Sequence, residues 1–308
     1  MKTKTLILGI ASVLLLALVC CPTVQARKQK HRQSRKPAQK VLVVYYSQTS
    51  NTKAVAEEIA KKLNADITEV EAVNPYDGDF KATIDRCQQE RKDGIVPEIK
   101  PLKVDFKKYN VIFLGYPVWF GTYAPPIASF LGKVDLSGKK IVPFCTFGSG
   151  GLESSVNEMK SKQPKAEILD GYGVRAARMK AMPAEVDQFL KASGFLKGEY
   201  VKLEEFSIPH VVSDEEAAIF NAAIGDYPML KNVRALTVAS RPIPNGVEYL
   251  FTASDKPRNP NSGNQEPRPW LLEKSDNTKD TVMRPPVEMQ VYVIAINGEA
   301  PVFTRVVR

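Results

Sequence analysis

The amino-acid sequence predicts an α/β protein in which a doubly wound, five-stranded parallel sheet precedes a small α+β domain. First, strand-like and helix-like segments alternate five times between residue 41 and about residue 195. Second, the uninterrupted apolar run Val111–Leu114 is typical of a parallel strand that is covered on both faces. Third, the pattern changes after residue 206, where one helical segment is followed only by strand-like segments. The alternation favours a parallel sheet, and the later pattern favours a separate antiparallel one.

Strands of the first domain are predicted where β-branched and aromatic residues cluster, at Val41–Tyr46, Asp66–Val70, Val111–Leu114, Lys140–Cys145 and Ala166–Leu169. Helices are predicted at Thr52–Leu63, Phe80–Arg91, Ile127–Leu131, Leu152–Ser161 and Ala184–Ala192. The first helix shows helical spacing most clearly, because Val55, Ile59 and Leu63 lie four residues apart. Ligands bind at the carboxyl ends of the strands in such sheets, so a site is expected after strands one, three and four.

The predicted domains are 41–197 and 207–308, joined by a linker at Gly198–Phe206. In the second domain, Ser213–Glu216 is a capping box that opens a helix over Asp214–Ala223. Asn245–Gly246 is a hairpin signal between the first two of four predicted strands. These strands are Val233–Ala239, Val247–Ala253, Met289–Ile296 and Val302–Val307, with a Pro- and Asn-rich loop, Asp255–Pro286, in the middle.

The net charge of +9 lies outside both domains. Residues 1–40 carry nine Lys or Arg and no Asp or Glu, which leaves 34 basic residues to match all 34 acidic ones. No nucleic-acid partner is therefore expected. Residues 1–26 are predicted to be a signal peptide, with a basic start, a fourteen-residue apolar run and small residues at Val24–Ala26 for cleavage. Residues 27–40 are predicted to be a basic, disordered linker.

This N-terminus predicts an exported protein that is periplasmic or held at the cell surface. The alternative is a lipid anchor on Cys20 or Cys21, although Val19 stands where a small residue usually precedes such a cysteine. The basic linker is predicted to be a solvated spacer, with contact to the envelope or another anionic surface as the alternative. Two further cysteines, Cys87 and Cys145, are too few for a disulfide framework and are predicted to be buried free thiols.

Six polar residues, Ser47–Thr52, separate the first strand from the first helix. A helix N-terminus offers unpaired N–H groups and a positive partial charge, so this first loop is suited to a phosphate without any Lys. The sequence matches neither the Walker pattern nor G-x-G-x-x-G. The alternative is an ordinary helix cap with extra serines, but a cap requires only one of the six residues.

A second loop, Gly115–Gly121, follows the third strand and contains Trp119 beside Phe120, which is suited to the wall of a flat apolar slot. The alternative is a Trp that fills the core. A third loop, Thr146–Gly151, follows the fourth strand, and its three glycines allow the backbone to approach a ligand closely. Its alternative is a flexible turn. It is not a hydrolase elbow, because no Gly lies two residues before Ser149.

One loop for a phosphate and two for a flat ring describe the contacts of flavin mononucleotide (FMN). On Tyr45–Thr52, Tyr109–Gly121 and Leu136–Gly151, residues 41 to about 195 resemble the flavodoxin family, with strand order 2-1-3-4-5. The family usually has Gly at position 50, where this chain has Ser50. The resemblance implies FMN as cofactor, held by Ser47, Gln48, Thr49, Ser50, Asn51, Thr52, Pro117, Val118, Trp119, Phe120, Gly121, Thr146, Phe147, Gly148 and Gly150.

The resemblance implies electron transfer, in which the flavin carries the redox chemistry and the protein tunes it. A redox partner protein is implied but not identified. Two alternatives stay open: an FMN-dependent oxidoreductase with a quinone-type acceptor, and a flavin-free interaction module. We predict no catalytic residue and no metal site, because His31 and His210 are too few for either. The C-terminal domain faintly resembles the cystatin-like arrangement, which implies at most an interaction role.

Overall fold

A computed structural model describes residues 40–225, 227–255, 270–272, 282–284 and 287–308. The described residues belong to one compact unit. The predicted signal peptide (1–26), nearly all of the basic linker (27–40) and most of the predicted loop 255–286 lie outside them. No helix among the described residues is long and apolar enough to cross a bilayer.

The first domain contains a parallel sheet with helices on both faces, which confirms the predicted fold class. Its strands are β1 (Val41–Tyr45), β2 (Asp66–Glu69), β3 (Val111–Trp119), β4 (Thr122–Tyr123), β5 (Lys140–Phe147), β6 (Glu167–Ile168) and β7 (Tyr172–Arg175). Its helices are α1 (Asn51–Leu63), α2 (Phe80–Asp93), α3 (Pro125–Lys133), α4 (Leu152–Lys162) and α5 (Met182–Ala192). The main strand order is β2-β1-β3-β5-β6, which is the predicted 2-1-3-4-5 arrangement.

Two short strands extend this sheet beyond the prediction. The third strand continues to Trp119 and pairs in antiparallel fashion with β4, because the chain reverses at Phe120 and Gly121. The apolar run ends at Leu114, so the sequence predicted the strand too short. The predicted fifth strand, Ala166–Leu169, corresponds to β6, and β7 follows it; both pair with β5 in parallel. The second of these segments was missed.

Two apolar layers enclose the sheet. On one face, α1 and α5 bury Val55, Ile59, Val186 and Leu190 against β-strand residues such as Val43. The opposite face has a cluster that includes residues of α2, α3 and α4, namely Cys87, Ile127, Phe130, Leu131 and Met159. Both faces of the sheet are therefore covered, and its strand ends are what is left open for a ligand.

The second domain is one helix on an antiparallel sheet. Its elements are β8 (His210–Val211), α6 (Asp214–Ile224), β9 (Arg234–Ile243), β10 (Gly246–Ser254), β13 (Glu288–Ile296) and β14 (Val302–Val307), with strand order β14-β13-β10-β9-β8. The predicted capping box is present, with Ser213 and Glu216 bonded reciprocally. Strands β11 (Trp270–Leu272) and β12 (Val282–Arg284) pair within the segment predicted to be a loop. The hairpin turn is Pro244–Asn245, one residue before the predicted Asn245–Gly246, because Gly246 already pairs with Ile243.

Candidate functional site

The three loops singled out in the sequence lie together at the carboxyl edge of the parallel sheet. Strands β1 and β3 pair with Tyr45 opposite Gly115, and β3 and β5 pair with Pro117 opposite Thr146. The main chain also connects the first two loops, because the Tyr46 N–H donates to the Gly115 carbonyl over 3.0 Å. The loops therefore form one continuous rim.

Side chains connect the third loop to its two neighbours. The hydroxyl oxygens of Thr52 and Thr146 are 2.8 Å apart and buried, which joins the first turn of α1 to the end of β5. On the other side, the hydroxyl of Ser154, in the first turn of α4, contacts the carbonyls of Gly121 in the second loop and of Gly151 at the end of the third loop. A conformational change in one loop would therefore disturb its hydrogen bonds to the neighbouring loops.

The first loop presents main-chain donors that no described protein group uses. Among the residues that the structure describes, none accepts a hydrogen bond from the backbone N–H groups of Gln48 through Thr52. These groups lie at the N-terminus of α1, where the helix contributes a positive partial charge. Unsatisfied donors at a helix start are suited to an anion. This observation fits the phosphate of FMN.

The N-cap position of α1 is occupied by Ser50, whose side chain makes no cap hydrogen bond. Its φ of 64° lies in the left-handed region, where a glycine would be unstrained. Ser50 therefore does not cap the helix through its side chain. The hydroxyl of Ser47 instead accepts from the Lys53 N–H over 3.2 Å, and the exposed Thr49 hydroxyl has only a 3.5 Å contact with the Asn51 amide.

Not every polar side chain of the first loop faces the rim. The amide nitrogen of Gln48 donates to the Tyr76 carbonyl and to the Thr83 hydroxyl, each over 2.9 Å. Gln48 therefore ties the loop to the segment around α2. The side chain of Thr52 is 1% exposed and is bonded to Thr146. For both residues, the backbone N–H is the group that is left to offer a ligand.

The second loop is a tight hairpin whose tip is apolar. Phe120 has a φ of 52° and Gly121 a φ of 82°, so both residues are left-handed. A bulky residue in this conformation is strained, and the Phe120 side chain is 46% exposed. Trp119 is partly buried, and its ring contacts those of Tyr46 and Tyr76 edge to face, at centroid distances of 5.9 and 5.2 Å. Trp119 thus packs partly in the core, and its role as the wall of a slot stays a prediction.

Sequence reasoning missed the group that supports Trp119. Tyr76 donates its hydroxyl hydrogen to Glu90 over 2.5 Å, and the Arg86 guanidinium lies 3.7 Å from the Tyr76 ring centre. Burial, together with the Glu90 hydrogen bond, raises the pKa of Tyr76, so this hydroxyl remains a donor at neutral pH. Only the i, i+4 spacing of Arg86 and Glu90 on a helix was visible as a signal in the sequence.

The third loop offers main-chain groups but few side chains. Thr146 and Phe147 are 5% and 6% exposed, so Phe147 is a core residue. No described residue accepts a hydrogen bond from the N–H groups of Gly148 to Gly151. Gly151 has a φ of 114° and forms the N-cap of α4, so this loop also ends at a helix start. Such donors are suited to the polar edge of a planar ring.

The second domain contacts this loop directly. The Val306 N–H of β14 donates to the Ser149 carbonyl over 2.5 Å. A Cβ added to Gly150 would lie 2.1 Å from the Val306 carbonyl oxygen, and one added to Gly148 would lie 2.9 Å from the Tyr227 hydroxyl. These two glycines therefore have a packing reason to be glycines, which the sequence could not reveal.

The fold and the three loops define a flavodoxin-like α/β domain. Residues 40–187 match the model of a protein family described as Flavodoxin, and this part of the chain belongs to that family. The comparison with curated proteins gave no match.

Solved structures similar to the chain include three bacterial proteins. A candidate flavoprotein from Bacteroides eggerthii is 30% identical, covers 48% of this chain and 96% of its own, and has a TM-score of 0.42. A flavoprotein in complex with FMN from Lactobacillus acidophilus is 25% identical, with a TM-score of 0.41. The match covers 44% of this chain and 93% of that protein. Oxidised flavodoxin 2 from Bacillus cereus is 18% identical, covers 50% and 99%, and has a TM-score of 0.32.

Proposed function

We propose that this protein is an exported flavoprotein that binds FMN in the three loops and passes electrons to a redox partner. The family match supports FMN as the cofactor. The single observation that carries the binding proposal is the row of unused N–H donors from Gln48 to Thr52 at the start of α1. Export rests on the sequence of residues 1–26.

Each loop has a separate task in this proposal. The first loop holds the phosphate through backbone N–H groups, with the exposed hydroxyl of Thr49 as a further donor. Trp119 and Phe120 cover the ring, and the N–H groups of Gly148 to Gly151 bond to its polar edge. When bound, FMN supplies the reversible uptake of electrons. The chain's own contribution is to orient the ring and to shield it from water.

A second candidate function is an FMN-dependent oxidoreductase with a quinone-type acceptor. It is favoured by an open groove of about 220 Å³ beside Trp119. The walls of the groove include the exposed apolar residues Phe120, Ile95 and Val96. A flat apolar acceptor could stack there. Reduction of a soluble quinone by the reduced holoprotein, with saturation in quinone and loss on Ile95→Asp, would favour this enzyme over a pure carrier.

The binding proposal is tested by titrating the apoprotein with FMN and with riboflavin, which has the same ring but no phosphate. FMN should bind more tightly, and Thr49→Ala should reduce the difference by about 1–3 kcal/mol, the usual value of a hydrogen bond to a charged group. Thr68→Ala, which changes a threonine on β2 outside the three loops, is the matched control and should leave the difference unchanged. Equal affinities for the two flavins would reject the phosphate site, and binding of neither would favour the flavin-free module.

A further inference from the structure

The last strand of the chain lies at the edge of the second domain's sheet and against the third loop. Among the described strands, β14 pairs only with β13, on one of its two sides. On its free side, the Val306 N–H donates to the Ser149 carbonyl over 2.5 Å. An edge strand has unpaired donors and acceptors, so this hydrogen bond gives β14 a partner outside its own domain.

Arg175, at the end of β7, reinforces this contact. Its Nε donates to the Gly148 carbonyl and its Nη1 to the Phe303 carbonyl, each over 2.8 Å. The guanidinium also lies 3.4 Å from the centre of the Phe303 ring. One planar side chain thus holds a carbonyl of the third loop and a carbonyl of β14 at once, which the fixed fork of arginine allows and a lysine ammonium does not.

The close approach has been left clear of side chains. Gly150 has no room for a Cβ, because the Val306 carbonyl oxygen would lie 2.1 Å from it. At the rim of the contact, Arg305 of β14 pairs with Glu153 in the first turn of α4, over 3.1 Å. The backbone contact, the partly buried Arg175 and the Arg305–Glu153 ion pair all converge on the same short segment, Thr146–Glu153.

We propose that the second domain is a clamp on the third loop, with Arg175 as its positioning residue, so that domain docking and FMN binding are coupled. This rests on the proposed function, in which the third loop contacts the flavin ring. A loop already held in one conformation loses less entropy when a ligand binds. By linkage, the flavin must in return strengthen the docking of β14 by the same factor.

The variants that test the clamp are Arg175→Leu, Arg175→Lys and Val306→Pro in the full chain. Proline is tolerated on an edge strand and here removes the N–H that donates to Ser149. The matched control is Arg178→Ala, because Arg178 is also partly buried but pairs with Glu185 of its own domain. Amide exchange of residues 146–151 and 302–307 is measured without flavin, and affinities are then measured for FMN and riboflavin.

Without flavin, exchange in both segments should be faster in Arg175→Leu and Val306→Pro than in the wild type or in Arg178→Ala. The affinities for FMN and riboflavin should each fall about 5-fold or more, the lower end of ordinary coupling between sites. Since the clamp acts on the third loop, which would contact the ring that both flavins share, the ratio of the FMN affinity to the riboflavin affinity should not change. Arg175→Lys should behave like Arg175→Leu, and FMN should slow exchange at 302–307 in the wild type.

Unchanged exchange and unchanged flavin affinities in both Arg175→Leu and Val306→Pro would overturn the clamp. A fall in FMN affinity with unchanged riboflavin affinity would also overturn the clamp, because that pattern is expected when the first loop, the proposed phosphate site, is disturbed. If the wild type binds neither flavin, the proposed function fails by itself. The exchange data without flavin then decide whether the second domain holds the loop.

Discussion

The hydroxyl oxygens of Thr52 and Thr146 lie 2.8 Å apart in a buried hydrogen bond that joins the first loop to the third loop. Both residues are buried, Thr52 at 1% and Thr146 at 5% exposure. The bond therefore fixes the distance between two loops that FMN would have to bridge.

Removing both partners of this bond should cost less than the sum of the two single losses. Thr52→Val and Thr146→Val should each lower the free energy of unfolding by about 1–3 kcal/mol, because each leaves a buried hydroxyl without a partner. The double variant should be less destabilised than the sum of the two. Urea unfolding of the apoproteins measures this. Additive losses would show that the two hydroxyls do not depend on each other.

Replacing Ser50 with glycine should stabilise the apoprotein. The left-handed conformation costs an L-residue about 1–2 kcal/mol, and part of this is offset by the greater flexibility of glycine when unfolded. Ser50→Gly should therefore raise the free energy of unfolding by up to about 1 kcal/mol. Ser50→Ala is the control, since alanine carries the same strain and should give no gain. A loss of stability in Ser50→Gly would mean that the serine hydroxyl supports the loop.

Substituting Trp119 should affect both stability and flavin binding. Trp119→Ala should destabilise the apoprotein by less than the about 3–5 kcal/mol typical of a fully buried aromatic, because the ring is only partly buried. FMN affinity should also fall, since ring stacking contributes about 0.5–1.5 kcal/mol. Phe106→Ala removes another partly buried ring from the same core cluster, and it should lower stability without changing FMN affinity. If Trp119→Ala leaves FMN affinity intact, Trp119 is a core residue only.

The thiol of Cys87 should make stability depend on pH in the alkaline range. Burial raises the pKa of Cys87 from 9.0 to about 11, so the folded state favours the neutral thiol. A group whose pKa is raised on folding stabilises the protein below its unfolded pKa, and this contribution is lost as pH rises toward the folded value. The stability difference between wild type and Cys87→Ala should therefore shrink between about pH 9 and pH 11. A difference that is constant over this window would contradict the raised pKa.

Much of the parallel sheet could be predicted because it depends on local patterns. Apolar runs such as Val111–Leu114 and the helical spacing of Val55 and Ile59 are properties of the chain itself. The sequence missed β7, Tyr172–Arg175, because this segment is short and ends in a charged residue. The reversal at Phe120 was equally hidden, since a phenylalanine in the left-handed region contradicts local preference.

The site could be predicted only as far as its loops. The polar run of the first loop and the glycines of the third are visible in the sequence, and the structure brings both to one rim. The orientation of side chains depends on distant partners instead, as with Gln48, which turns to Thr83. Arg175 could not be recognised either, because its two carbonyl partners lie 27 and 128 residues away. The localisation of the chain stays a prediction.

Gly150 lies against the Val306 carbonyl, and in the proposed complex it would also lie against the flavin. In a chimera that joins this flavodoxin-like domain to a different C-terminal domain, Gly150 would no longer be needed to make room for the Val306 carbonyl. In the reverse graft, any single-domain host with a side chain at this position would push β14 away. The two halves of this chain are therefore not interchangeable parts.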